Sequence, residues 1–159
     1  MDACCALPGE HSHQEENTCP TCGKRGKTVS ALTIRSLTRR DWRHYPDITD
    51  GYLCTNPEDS TVYFFPGSHL TVDKHHLVDR VGFKETEDPR TVCYCFRHTR
   101  EEIESDFLKF GRSTVEEEIR EKVDGGGCSC EVTNPSGRCC LGDVRKVYLP
   151  LKKKTAVTS

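Results

Sequence analysis

The chain of 159 residues has no long apolar run, little net charge and little hydrophobic sequence. No apolar segment approaches the roughly 20 residues that a membrane-spanning helix needs, so we expect no membrane insertion. A formal charge of -2 at pH 7 gives no electrostatic reason to expect nucleic acid as a partner. Because only 34% of the residues are hydrophobic, the core must be modest, and bound metal is expected to supply part of the folding energy.

The first residues also lack the charged, apolar and cleavage segments of a secretory signal. The cysteine count is 11, an odd number, which argues against a secreted scaffold of paired disulfides. We therefore expect a cytoplasmic protein, in which clustered thiols mainly hold metal.

The cysteines stand in tight groups instead of being evenly spread. The groups are Cys4-Cys5, Cys19-Pro-Thr-Cys22, a single Cys54, Cys93-Tyr-Cys95, Cys128-Ser-Cys130 and Cys139-Cys140. C-x-x-C and C-x-C spacings are typical of zinc and iron-sulfur ligands.

The sequence divides into four parts and predicts an α+β protein. These are a flexible tail (1–17), a small zinc-ribbon-like β module (18–87), a helical-hairpin module (88–151) and a polar tail (152–159). In the β module, segments 28–34 and 61–65 have the composition of strands, and a Pro-Gly turn follows the second.

Two capping boxes predict the helical hairpin. Thr99 with Glu102 opens a helix that should end at Gly111, and Thr114 with Glu117 opens a second helix that a run of glycines ends. A loop with four cysteines follows, and then a short apolar segment, 144–151.

The first candidate metal site begins at the C-x-x-C-G knuckle of Cys19 and Cys22, which suits tetrahedral zinc. Cys54 and Asp59 would complete an S₃O ligand set. The alternative fourth ligands are Glu58, His75 and His76. A redox dithiol is the competing interpretation of the knuckle, but no βαβ pattern surrounds it. We interpret the histidines of the modules as surface imidazoles; they are His44, His69, His75, His76 and His98.

The second candidate site pairs Cys93 and Cys95, just before a capped helix, with the later cysteine-rich loop. The dipole and free N-H groups of a helix N-terminus stabilise thiolates and the negative charge of an iron-sulfur cluster. The spacing of these cysteines alone fits a [2Fe-2S] cluster and a second zinc almost equally well.

At these residues the chain resembles the N-terminal zinc and [2Fe-2S] domain of the CopZ copper chaperone family, whose cluster domain is of the bacterioferritin-associated-ferredoxin type. The similarity covers about residues 18–150. The segments that carry it are Cys19-Pro-Thr-Cys-Gly23, Cys54 with Val62-Tyr-Phe64, Val81-Gly-Phe-Lys-Glu85, Val92-Cys-Tyr-Cys95 and Val132-Thr-Asn-Pro-Ser-Gly-Arg-Cys-Cys140.

The resemblance implies two cofactors, a zinc ion and a [2Fe-2S] cluster. The implied zinc ligands are Cys19, Cys22, Cys54 and Asp59. The implied cluster ligands are Cys93, Cys95, Cys130 and Cys140, with Cys139 and Cys128 as alternates. The chain departs from the family at Asp59, where a cysteine is usual, and at Cys128, which is an extra thiol. The family's chaperones also continue into a small heavy-metal domain with its own copper-binding C-x-x-C.

These features predict a metal-handling accessory protein with a redox-active cluster and a structural zinc. It would reduce or carry copper or another thiophilic metal, with a metal-transport protein or a redox protein as its partner. No nucleophile-base arrangement for hydrolysis stands out, so we do not expect an enzyme. The alternative is a ferredoxin-like electron carrier, or a cluster-holding interaction module, without metal cargo.

Cys4 and Cys5 separate these alternatives, because soft thiolates favour soft cations such as Cu(I) or Hg(II) and an electron carrier needs no such pair. We expect a Cys4→Ser/Cys5→Ser variant to take up less Cu(I) and Hg(II) than the parent chain in a competition titration, with the zinc and cluster sites filled. Equal uptake by both proteins would favour the electron carrier.

Overall fold

The computed structural model describes residues 17–157, in which helices combine with antiparallel sheets. The predicted α+β class is confirmed. The predicted tail before residue 17, including Cys4 and Cys5, lies outside the described residues. Within the described part of the chain, no helix is both long and apolar enough to cross a membrane.

The first half of the fold is a four-stranded antiparallel sheet with the strand order β1-β2-β3-β4. The strands are β1 (Lys27–Val29), β2 (Gly51–Leu53), β3 (Thr61–Phe64) and β4 (Thr71–Asp73). All four residues of β3 are buried, and the prediction of a strand at 61–65 is confirmed to within one residue.

The predicted strand at 28–34 is wrong after residue 29. Ser30 caps a helix instead, α1 (Ala31–Leu37), because its hydroxyl accepts a hydrogen bond from the Thr33 N-H. Ile34 and Leu37 then lie one helical turn apart and are both buried in the hydrophobic cluster under the sheet.

The second half contains a two-stranded sheet and four helices. The strands are β5 (Thr91–Cys93) and β6 (His98–Thr99), and the helices are α2 (Arg100–Phe110), α3 (Thr114–Asp124), α4 (Cys130–Thr133) and α5 (Leu141–Val157). The predicted capping box of Thr99 and Glu102 is present, and Gly111 ends α2 in the left-handed conformation, with φ of 70°.

The second predicted capping box is wrong by one residue. Ser113 is the N-cap of α3, and its hydroxyl accepts from the Glu116 N-H at 3.1 Å. Thr114 is the first helical residue, and its hydroxyl donates to the Asp106 carboxylate on α2. The cap is shifted because this bond between helices uses the Thr114 side chain.

Helix α5 is the largest difference from the predicted organisation. The apolar segment 144–151 lies within this helix, which continues through most of the predicted polar tail. It packs on α2, α3 and β5. The predicted hairpin is therefore part of a three-helix arrangement, with Ile103, Ile119 and Val144 fully buried between the helices.

Buried contacts join the two halves of the fold. The Tyr63 hydroxyl on β3 donates to the Pro135 carbonyl at 2.6 Å, and the Gly82 N-H donates to the Tyr94 hydroxyl at 2.8 Å. A Cβ at position 82 would lie 1.9 Å from the Thr91 carbonyl oxygen, so only glycine allows this approach. The halves therefore pack directly against each other across the predicted joint at 88–90.

We expect Tyr63→Phe to lower the free energy of unfolding by about 1–3 kcal/mol, because the buried Pro135 carbonyl loses its hydrogen-bond donor. Tyr45→Phe is a matched control: its hydroxyl also donates to a backbone carbonyl, that of Arg35 at 3.1 Å, but in an exposed position where water can replace it. Denaturant unfolding of both variants tests this. Equal destabilisation would contradict the importance of the bond to Pro135.

Candidate metal centres

The first centre is built on the tight turn between Cys19 and Cys22. The Gly23 N-H donates to the Cys19 carbonyl at 2.9 Å, and Gly23 has φ of 75°. Burial acts to raise the pKa of Cys22, but hydrogen bonds, first that from the Lys24 N-H, lower it overall. The turn thus presents two sulfurs on one side and stabilises a thiolate at Cys22.

Cys54 and Asp59 reach the same point from the two sides of a loop. Cys54 follows β2, and its N-H donates to the Val62 carbonyl at 2.8 Å. Asp59 precedes β3, and its Oδ1 accepts from the Thr61 N-H at 3.1 Å. As a result the potential ligand atoms of all four predicted zinc ligands lie within 4.8 Å of one another. They belong to Cys19, Cys22, Cys54 and Asp59.

The distances within this group fit a tetrahedral zinc site. Two thiolates, each about 2.3 Å from zinc, stand about 3.8 Å apart, and a thiolate and a carboxylate oxygen stand about 3.5 Å apart. The Sγ atoms of Cys22 and Cys54 are 3.7 Å apart. Asp59 Oδ2 lies 3.4 Å from Cys19 Sγ and 3.6 Å from Cys54 Sγ. The four donors can therefore surround one ion without rearrangement of the backbone.

Neighbouring groups hold Asp59 in its charged form. Burial acts to raise the pKa of Asp59, but hydrogen bonds outweigh it and hold this pKa well below its usual range. The strongest comes from the Thr21 hydroxyl, which donates to Oδ2 at 2.5 Å. The carboxylate is thus ionised and oriented before a cation arrives.

In contrast to the ionised Asp59, the thiol of Cys54 is held in its neutral form. Burial raises its pKa to about 12, and the nearby Lys84 ammonium only partly offsets this. Lys84 is itself buried, and its Nζ donates to the Asn56 and Asp59 carbonyls at 2.7 and 2.9 Å. A metal ion bound here must displace the Cys54 proton.

The alternative ligands for this site are not brought to it. Glu58 is exposed, and His75 and His76 are exposed on the short 3-10 helix after β4, so none of them joins the ligand group. The interpretation of His98 as a surface imidazole is wrong. This residue of β6 is only 7% exposed, and its Nδ1 lies 2.9 Å from the Glu102 carboxylate on α2.

The second centre brings the predicted cluster ligands together as two pairs. Cys93, at the end of β5, and Cys140, just before α5, are both buried in one hydrophobic cluster, and the interaction of their thiols shifts the pKa of each. Cys95 lies in the turn between β5 and β6, and its Sγ is 3.4 Å from the Sγ of Cys130 at the start of α4. Among the described residues no four thiols gather here around one point, because the group within 4.8 Å holds Cys95, Cys128 and Cys130 only.

The interaction between Cys93 and Cys140 shifts their two pKa values in opposite directions. The bond with Cys140 lowers the pKa of Cys93 to about 6, and the N-H of Phe96 adds to this effect. The same bond, together with burial, raises the pKa of Cys140. The two pKa shifts have opposite directions, so one of the two thiols ionises more readily than a free cysteine while the other keeps its proton.

The two alternates occupy different surroundings. Cys128 is half-buried, with its Sγ 3.1 Å from that of Cys130. Cys139 is exposed and lines a cleft of about 630 Å³ between the two halves of the fold. The nine described cysteines are all free of disulfide bonds.

Two polar residues of the first centre were missed by the sequence analysis. Thr21 lies between the two cysteines of the knuckle, so its hydroxyl could have been predicted to lie near the metal ligands. Lys84 lies 25 residues beyond Asp59, in a segment noted only for its resemblance to the family, and no local signal links it to the site.

Comparisons with known proteins agree with both parts of the fold. Residues 16–78 match the zf_CopZ family, described as a zinc binding domain. The copper chaperone CopZ of Archaeoglobus fulgidus is 35% identical over 141 residues, which are 87% of this chain and 66% of that protein. The chain thus spans just under two thirds of the length of this relative.

A solved structure extends the similarity to three dimensions. The X-ray structure of the Archaeoglobus fulgidus CopZ N-terminal domain is similar with a TM-score of 0.67 and 34% sequence identity. The match covers 82% of this chain and 96% of that domain.

We expect Thr21→Val to weaken zinc binding by roughly 10–100-fold, because the ligand carboxylate loses the hydroxyl that orients it. Asp59→Ala should weaken it further, since a ligand itself is lost. Glu58→Ala is the control, a neighbouring carboxylate outside the group. Zinc content after dialysis against a graded chelator measures the effect. Zinc retained by Asp59→Ala as tightly as by the parent would remove Asp59 from the ligand set.

Proposed function

The chain belongs to the family of the CopZ N-terminal domain, and on that premise we propose that it is a metal-handling accessory protein of the copper-chaperone type. In this proposal the chain holds a structural zinc at the first centre and a redox-active [2Fe-2S] cluster at the second. It acts in the cytoplasm and is not an enzyme.

The observation that carries this proposal is the different grouping of the thiols at the two centres. One ion needs all its ligands around a single point, as at Cys19, Cys22, Cys54 and Asp59. A [2Fe-2S] cluster has two irons, each with two protein thiolates, and so needs two pairs. Cys93 and Cys140 are buried in one hydrophobic cluster, and the Sγ atoms of Cys95 and Cys130 are 3.4 Å apart. These two pairs suit the cluster better than a second zinc.

Burial supports a structural role for the zinc. Cys19 and Cys54 are 1% and 0% exposed and pack with Phe64 in a small hydrophobic cluster. Four protein ligands leave no open position for a substrate. The zinc would therefore stabilise the loop that joins β2 to β3.

The second centre suits one-electron chemistry. A bound [2Fe-2S] cluster supplies a single electron, which would reduce Cu(II) to Cu(I) as the cluster is oxidised. The chain's own residues protect the site: Cys93 and Cys140 are buried among Ile103, Ile119 and Val144. The copper is cargo, and a metal-transport protein or a redox protein would be the partner.

A ferredoxin-like electron carrier without cargo is the second candidate. It is favoured by the use of the described cysteines: the zinc and cluster sets leave only Cys128 and Cys139 among them. In that case the cluster would serve a redox partner alone, and the thiols of Cys4 and Cys5 would have no role in metal uptake.

Replacing Cys93 and Cys95 together with serine should abolish the visible absorption and the iron of anaerobically purified protein, because each pair loses one thiolate. The zinc content should remain, since none of its ligands changes. Cys139→Ser is the control and should keep both metals. A full cluster with the unshifted visible spectrum of the parent in the Cys93→Ser/Cys95→Ser protein would show that the ligands lie elsewhere, because ligation by serine oxygen would shift the absorption.

A further inference from the structure

The second centre contains one more thiol than a four-cysteine cluster uses. Cys128 Sγ lies 3.1 Å from Cys130 Sγ, which in turn is 3.4 Å from Cys95 Sγ. All three sulfurs are within 4.8 Å of one another. Three thiols therefore stand where the proposed cluster needs two, and they form the only such group besides the zinc centre in the described part of the chain.

Cys139, the other extra thiol, is placed differently. It is exposed and does not belong to the group of close sulfurs, although it directly precedes Cys140. A cysteine next to a predicted ligand in the sequence is thus not always close to the site. Cys128 is close to it because of the conformation of the loop before α4.

The backbone around Cys128 suits two alternative positions of the loop. Cys128 follows three glycines, of which Gly126 has φ of 79°, and none of the three is buried. Between the two competing cysteines, the Ser129 N-H donates to Cys95 Sγ at 3.2 Å. This bond holds the centre of the Cys128-Ser-Cys130 segment against Cys95, while a cysteine stands on each side of it.

We propose that Cys128 and Cys130 are interchangeable ligands of the iron that Cys95 also binds. This inference rests on the proposed function, because it assumes that the [2Fe-2S] cluster is present. In the exchange, the iron-sulfur bond of Cys130 breaks and one from Cys128 forms. The Cys128 thiol gives its proton to solvent and the released Cys130 thiolate takes one up, so no electron is transferred.

The exchange leaves one thiol free beside the iron in either state. The free thiol lies 3.1 Å from the sulfur that replaces it as ligand and within 4.8 Å of Cys95 Sγ, so it offers a soft cation a position next to the redox centre. The extra cysteine would thereby connect electron transfer with the binding of Cu(I), without a second dedicated site.

Alanine variants test the proposal, because alanine, unlike serine, has no oxygen that could bind iron in place of sulfur. We compare Cys128→Ala, Cys130→Ala and the double variant, with Cys139→Ala as the matched control. Each single variant should keep the two irons of the parent cluster, with shifted visible absorption for Cys130→Ala. The double variant should lose the cluster, and Cys139→Ala should match the parent.

A Cys130→Ala protein that keeps its zinc but holds no iron would overturn the proposal, as would a double variant with a full cluster. If the parent itself holds no iron, the proposed function fails first. Zinc content reports whether each variant is folded.

A second measurement does not depend on the folding of Cys130→Ala. The EPR spectrum of the reduced parent should contain two components, one for each ligand, and Cys128→Ala should show only one of them. Superimposable spectra of the parent and Cys128→Ala would overturn the exchange.

Discussion

The rest of the structure depends on the burial of thiols inside its hydrophobic clusters. Cys19, Cys54, Cys93 and Cys140 are each at most 1% exposed, and they pack with Phe64 in one cluster and with the helix residues in another. A buried thiolate is costly unless a cation or hydrogen bonds compensate its charge. We therefore expect metal binding at these thiols to be coupled to formation of the core, which has few hydrophobic residues.

A single strand links the two centres. The N-H of Thr61, the first residue of β3, orients Asp59 at the zinc centre. Two residues further, the Tyr63 hydroxyl donates to Pro135, in the loop between Cys130 and Cys140. A shift of β3 caused by a change at one centre would therefore move a residue that contacts the other centre, because all four residues of this short strand are buried. This connection suits a protein whose two sites form on folding.

Local sequence signals explain what was predicted correctly. The capping box of Thr99 and Glu102, the left-handed Gly111 and the knuckle at Cys19 each depend on hydrogen bonds between residues a few positions apart. The zinc ligands were proposed from the knuckle together with Cys54 and Asp59, and the cluster ligands followed from resemblance; the structure brings the predicted zinc ligands together. The capping box, the helix end and the knuckle can be read from spacing because the groups that form them are close in the chain.

The features that were predicted wrongly or missed depend on contacts between residues that are distant in the chain. Thr114 has the sequence of an N-cap, yet its hydroxyl is engaged by Asp106 on another helix, so Ser113 caps instead. The approach of Lys84 to Asp59, which was missed, and the choice between Cys128 and Cys130 beside Cys95, which was left open, likewise depend on segments that are 25 and 33 residues apart. No local pattern encodes these contacts, because they depend on how the sheet and the helices pack, and that packing alone brings the distant side chains within bonding distance.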